Sequence, residues 1–281
     1  YKGNVEHLVQ QKGSRLRAAV SSETVVGKNA FFEQIGSTAA QKRTTRHSDT
    51  PRMDTPHSRR RVSLVDYDWS DLIDDEDRVR LLIDPTGPYS VAASSAMGRA
   101  IDDEIVSAAD GTAYTGVAGG TSTSYDSNMT VDVQVGISPA ADTGLNVGKL
   151  RAAKQLLDAN EAEDDDRFCV INAKQLQNLL AATEVTSSDY AVVKALVNGE
   201  VDTFLGFDFI RTELLETDSN SDHKVLFWQN SGMKLAIGSE PKVQISTRDD
   251  KNYATQVFVS MSIGSTRMQE ALVGYIECDP T

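Results

Sequence analysis

"KRTTRHSDTPRMDTPHSRRR", residues 42–61, is followed five residues later by "DYDWSDLIDDED", residues 66–77. The first stretch holds seven Lys/Arg against two Asp, and the second holds seven acids and no base. Almost nothing apolar lies in the first block, so it has no core of its own to fold around. Thr50-Pro51 and Thr55-Pro56 force extended or turn geometry on the residues before each proline. On either side lie two extended segments, "AAQKRTTRHS" (39–48) and "SRRRVSLVDYDWSDL" (58–72). In the second, Val62, Leu64, Trp69 and Leu72 are interleaved with polar residues, as in a half-exposed strand. Together they predict a long two-stranded ribbon with a Pro-rich tip over 38–80. A lone ribbon of this kind is marginal in water, so it needs a partner surface.

The charges indicate which surface. Seven cations on one extended ribbon repel each other unless anions lie alongside. Folding back on the chain's own acids would give a local ladder of small value. Reaching across to a second copy would instead give each copy a cationic finger and an anionic receiver. That pairing is heterologous and builds rings or open lattices. Repeated weak pairs would also steer assembly and keep it reversible.

Composition bounds the rest. The chain has 281 residues, 40% apolar and 25% charged, a globular balance. Its net charge of −13 argues against a dedicated nucleic-acid binder, which needs a basic face. No apolar run approaches the roughly 20 residues that span a bilayer. The first residues, "YKGNVEHLVQQKGSRLRAAV", lack the apolar core of a secretory signal and an initiator Met, which leaves open whether a leader was removed. Cys169 and Cys278 lie far apart, as expected of two buried thiols in a reduced cytosolic protein rather than of a disulfide scaffold.

Residues 1–37 read as an arm that packs on something, with an apolar clasp at Phe31, Phe32 and Ile35. From Pro85, Gly87 and Pro88 to Gly111, small and apolar residues recur at three- and four-residue steps. Val91, Ala92, Ala96, Ala100, Ile101, Ile105 and Ala108 predict a long helix lying close against a sheet. A Gly/Ser/Thr-rich loop follows over 111–128, then a strand-like "MTVDVQVGI". "LNVGKLRAAKQLLDANEA" predicts an amphipathic helix on Val147, Leu150, Ala153 and Leu157. "RFCVI" reads as a buried strand and "NAKQLQNLLAA" as a helix capped by Asn172. "SSDYAVVKALVNG" predicts a further helix from Ser188 to Gly199. "FDFIRTELLE" and "HKVLFWQ" read as strands and "GMKLAIGSE" as a turn or short helix. "PKVQIST", an elbow "RDDKNYAT" and "QVFVSMSIG" form a hairpin, and "QEALVGYIEC" is a last strand. Without regular strand–helix alternation, this order indicates an α+β fold.

The search for chemistry returns little. "GLNVGKL" at 144–150 resembles a phosphate loop but is one residue short between its glycines and has Leu150 where Ser or Thr would hold a metal. His7, His47, His57 and His223 are scattered, no nucleophile elbow occurs, and neither cysteine has a basic neighbour cluster. Asn128-Met129-Thr130 is a glycosylation sequon in form only. The acid runs Asp74–Asp77 and Asp164–Asp166 lack the spacing of a calcium loop and read as solvated turns. No cofactor is expected.

The order of parts resembles the major capsid proteins of tailed bacteriophages, with the Hong Kong ninety-seven phage fold that encapsulin shells share. "SEPKVQISTRDDKNYATQVFVSMSIGSTRMQEALVGYIECD" looks like that family's closing segment, "RFCVINAKQLQNLL" like its strand–Asn–helix unit, and "VNGEVDTFLGFDFI" like its Gly-turned strand. The resemblance implies an N-terminal arm (1–37), an extended β-hairpin loop (38–80) and a peripheral domain (81–145 and 241–281). The peripheral domain would carry a spine helix at about 86–110, and an axial domain would span 146–240. It implies a non-enzymatic subunit forming pentamers and hexamers of an icosahedral virion shell, assembled in the host cytoplasm around double-stranded DNA. That DNA would be held without sequence-specific binding, no membrane would be involved, and portal, scaffolding and cement proteins are the implied partners. Under this mapping Lys42, Arg43, Arg46, Arg52, Arg59, Arg60 and Arg61 would be finger cations. Asp74, Asp75, Glu76 and Asp77, or Asp102, Asp103 and Glu104 on the spine helix, would be their receivers on the next subunit. Two other readings stand beside it: an encapsulin-like compartment with enzyme cargo, and a metal-assisted hydrolase using an acid run.

Overall fold

The computed structural model describes residues 10–46, 49–50, 52–74, 86–136, 141–181, 203–218 and 220–280. The helix expected after Ser188 and the acids Asp75, Glu76 and Asp77 lie outside them. Three sheets and three helices make up the described fold, an α+β arrangement.

The centre is α1, Thr86–Asp110. Ala93, Met97, Ile101, Ile105 and Ala109, stepping by four, are all buried, so one narrow stripe faces the core. The stripe sits slightly round the helix from the expected one, because Val91 is 48% exposed. Against this stripe packs a four-stranded sheet with the order β1-β12-β13-β4, comprising β1 (Ser21–Thr24), β12 (Met233–Thr247), β13 (Thr255–Arg267) and β4 (Val65–Ile73). β12 and β13 pair antiparallel from Met233↔Arg267 to Thr247↔Thr255, with register shifts between Ile237 and Lys242. Pro241 sits in the second shift, where a residue without an N–H must interrupt the ladder. "GMKLAIGSE" is therefore the first half of a long strand rather than a turn or short helix. Its buried Met233, Leu235 and Ile237 alternate along the sheet, and Gly238 lies within the first register shift.

A six-stranded sheet has the order β7-β14-β11-β8-β10-β9, with β7 (Thr130–Val131), β8 (Arg167–Ile171), β9 (Thr203–Phe204), β10 (Phe207–Arg211), β11 (His223–Gln229) and β14 (Val273–Cys278). One face supplies Val170, Leu226, Trp228 and Val273 to the α1 core, where Trp228 Nε1 donates to the Ala19 carbonyl at 2.8 Å. The other face packs on α2 (Val147–Ala159) and α3 (Ala173–Ala181) through Leu150, Leu157, Leu179, Phe207 and Phe227. α3 begins at the expected cap, Asn172, and α2 at Asn146, which was not singled out in the sequence. Asn146 accepts from Lys149 N at 2.8 Å and Asn172 from Gln175 N at 2.8 Å, each satisfying a free first-turn donor. "MTVDVQVGI" is a strand only at Thr130–Val131. Asp132 then takes the Gln134 N–H at 2.8 Å and starts a turn, the usual competition of Asp with ladder bonding.

The third sheet, β2-β3-β5-β6, is the ribbon. Its first strand is not 39–48 but β2 (Asn29–Ile35), which pairs antiparallel with β3 (His57–Ser63) from Asn29↔Ser63 to Ile35↔His57. Of the expected clasp only Phe32 is buried, while Phe31 and Ile35 face outward and are exposed. Phe32 with Ala30 buries the inner face of β2 on Val62, Ala236 and Met268, which a strand of Lys, Arg and Thr has no means of doing. Gly36 N–H to Pro56 O at 2.8 Å closes the ribbon end. β5 (Ala113–Thr115) and β6 (Thr121–Thr123) extend the sheet from the Gly-rich segment. "SRRRVSLVDYDWSDL" is thus two strands in two sheets, with Leu64 between them.

Candidate subunit interface

Strand parity separates the three arginines of "RRR". Successive side chains on β3 point to opposite faces, so Arg59 and Arg61 face outward and Arg60 inward. Arg60 is 7% exposed; its Nε donates to Met268 O at 2.9 Å and its Nη2 to Glu270 Oε1 at 2.8 Å. Arg59 pairs with Glu33, directly across on β2, at 2.7 Å, donates to Val117 O at 3.2 Å and lies over the Phe31 ring. Arg61 lies 4.6 Å over the Tyr114 ring and makes no ion pair among the described residues.

The tip differs in kind. Every described residue from 35 to 58 is exposed. Among the described residues, the Lys42 and Arg46 side chains have no hydrogen bond or ion pair, Arg43 reaches only Thr45 O, and Arg52 meets only Asp54 at 3.7 Å with both side chains nearly fully exposed. The seven cations expected to act together are therefore four exposed ones on the tip and three fixed ones at its base.

The acids divide as well. Asp74 is exposed. Asp102 is fully buried, and its carboxylate is filled by its own chain: Ser14 Oγ donates at 2.5 Å, Arg15 N at 3.0 Å and Leu16 N at 3.0 Å, with Gln11 Nε2 also on it. It clamps the N-terminal segment onto α1. Glu104 accepts the Tyr67 hydroxyl at 2.9 Å, tying β4 to α1; burial and this acid push the Tyr67 pKa up to about 12. Asp103 is exposed, its pKa raised by partial burial and by Asp102.

Glu33, Glu270 and Tyr114, which hold the arginine base, were not picked out by the sequence reading. Parity within "RRR" was the available signal, since a middle Arg facing the core requires a carboxylate.

Elsewhere, Lys149 of "GLNVGKL" is buried and donates to Thr143 O at 2.6 Å and Glu277 O at 2.8 Å; burial lowers its pKa, and it holds backbone rather than phosphate. Both cysteines are buried free thiols, and burial pushes Cys278 up to about 12. Among the described residues no set of three or more His, Cys, Asp or Glu is arranged to hold a metal, and no helix is long and apolar enough to cross a membrane.

The capsid of Ralstonia phage GP4 is similar in fold, with a TM-score of 0.77 at 12% identity over 100% of this chain and 96% of that one. That of cyanophage P-SCSP1u matches with a TM-score of 0.76 at 17% identity over 100% and 92%. The capsid of cyanophage Pam1 matches with 0.69 at 13% over 100% and 96%. No curated protein matches the sequence. A family model described as phage capsid protein matches residues 1–280. With that match along its length, the chain belongs to the phage capsid protein family and is a shell protein of the capsid.

Proposed function

We propose that copies of this chain assemble through pentamers and hexamers into an icosahedral shell enclosing double-stranded DNA, with the tip of each ribbon reaching the next subunit. The observation that carries this reading is the exposure of every described residue from 35 to 58, with Lys42, Arg43 and Arg46 lacking a carboxylate partner among the described residues. A chain of net charge −13 gives such cations many acids to meet on a neighbour. Asp74 to Asp77 remain the proposed receivers for the tip. Asp102 drops out because its acceptor sites are occupied.

The layers support an arm at 1–37, a loop at 38–80, a peripheral domain around α1 at 81–145 and 241–281, and an axial domain at 146–240. The pairing of β14 with β11 favours moving 273–278 to the axial side. The role is structural rather than catalytic, with assembly in the host cytoplasm and no sequence-specific DNA contact. Scaffolding, portal and cement proteins are the partners such a shell would take.

Negative-stain microscopy and sedimentation of the purified protein test the reading. Shells or capsomers are expected. Reversal of Lys42, Arg43 and Arg46 to Glu should raise the concentration needed for assembly while the thermal melt stays unchanged. A protein that remains monomeric under all salt conditions would overturn the reading.

A further inference from the structure

Arg59 and Arg60 are neutralised by Glu33 and Glu270, but Arg61, next along β3, has no carboxylate partner among the described residues. Its position is nonetheless fixed. The guanidinium is stacked on Tyr114, the turn at Gly119 lies against its stem, and its Nε is buried with no acceptor. A stacked guanidinium held this way is pre-organised for bidentate capture of an oxyanion.

The register surrounds it with apolar residues. Phe31 lies directly across from Arg61 on β2 and Tyr114 directly across on β5, so the three share one outward face. Phe31 is 41%, Tyr114 40%, Ile35 70% and Val117 86% exposed. Arg among exposed aromatics and aliphatics is the composition of a protein–protein anchor. A phosphate site fits less well: a single free guanidinium beside Glu33 is not a basic stripe, and a chain of net charge −13 repels a polyanion.

The same chain offers the complement. β4 is an edge strand of its sheet, and Tyr67 points to α1, so Asp66 and Asp68 point to the face turned away from α1. Both are exposed, their carboxylates make no hydrogen bond or ion pair among the described residues, and Leu72 on the same face is 43% exposed.

We infer that the outward face of the β2-β3-β5-β6 sheet docks a second copy of this chain, with Arg61 taking a carboxylate from the Asp66–Asp68 edge of that copy. This rests on the shell reading and adds a folded contact beside the exposed-charge contact of the tip.

The test measures the protein concentration for half-maximal assembly by light scattering and sedimentation, with circular dichroism to report folding. Arg61→Glu is expected to raise it by about tenfold or more, as loss of an anchor does, with an unchanged melt. Combining Arg61→Glu with Asp66→Arg and Asp68→Arg is expected to restore assembly towards wild type. Assembly of Arg61→Glu at the wild-type concentration, or no recovery in the charge-swapped protein, overturns the inference. So does loss of double-stranded DNA binding by Arg61→Glu with assembly intact, which would make the face a phosphate site. Failure of the wild-type protein to assemble at all would count against the shell reading instead.

Discussion

Arg60 and Arg267 hold the same carboxylate, that of Glu270: Arg60 Nη2 donates to Oε1 at 2.8 Å and Arg267 Nε to Oε2. Arg267 is fully buried and also donates Nη1 to Ala109 O at 2.8 Å and Gly111 O at 2.9 Å, capping the C-terminus of α1. The ribbon, the end of β13 and the spine helix therefore meet on one acid. Two cations share one anion, and Arg60 Nη1 and Arg267 Nη2 are left without acceptors.

Removing that acid leaves both guanidiniums buried and unpaired. Glu270→Gln is expected to cost about 3–5 kcal/mol in urea unfolding at neutral pH, the usual penalty for breaking a buried pair from one side. Arg60→Met should cost less, because Arg267 and Glu270 remain one to one. Equal losses for the two variants would show that the shared-carboxylate account is wrong.

Asp102 makes a second such prediction. Its carboxylate accepts from Ser14, Arg15 and Leu16, and Leu16 is fully buried beneath the clamp. Asp102→Ala should destabilise the fold by about 2–3 kcal/mol, since it strands buried donors. The amides of Arg15 and Leu16 should then exchange with deuterium sooner than those of β13. Exchange that stays as slow as in the wild type would mean that the segment is held by apolar packing alone.

These two networks also mark where the sequence stops being readable. α1, α2 and α3 were legible because a period of three to four residues is written within each segment, with a local cap at Asn172 for α3. The inward turn of Arg60 was legible in principle from parity. Its partner was not, because Glu270 lies 210 residues away and only the packing of β13 against the ribbon brings it there. The same applies to Asp102, which reads as part of an exposed acid run until the N-terminal segment, 86 residues before it, lies across the helix. The first strand of the ribbon was misread because charge drew attention to 39–48, whereas burial of Ala30 and Phe32 decides the pairing. The division of the candidate site into an exposed tip and a fixed base follows from that register.

Acids crowd one end of the six-stranded sheet, and a pH dependence follows. Burial, together with Asp218, Asp279 and Asp142, raises the Asp222 pKa, and burial with Asp218, Asp132 and Asp222 raises that of Glu277. A carboxyl whose folded pKa lies above its unfolded value binds more protons when folded, so stability falls as pH rises through that window. Asp222→Asn should therefore raise the melting temperature at pH 7. The gain should fade as pH falls towards the unfolded carboxyl value near 4. A gain that persists at pH 3 would point to a cause other than charge crowding.

Gly119 offers the finest probe of the docking face. Its φ is +62°, and a Cβ there would lie 2.6 Å from Arg61 Cβ, so the turn needs glycine on both counts. Gly119→Ala should cost about 1–2 kcal/mol through the left-handed backbone alone, and the methyl should push the Arg61 stem off Tyr114. The assembly threshold is then expected to rise as it does for Arg61→Glu, while the protein remains folded. Gly120 next to it has nothing within 4 Å of its Cβ position, so Gly120→Ala should leave assembly unchanged. If both alanine variants assemble alike, the placement of Arg61 on Tyr114 has no part in joining subunits.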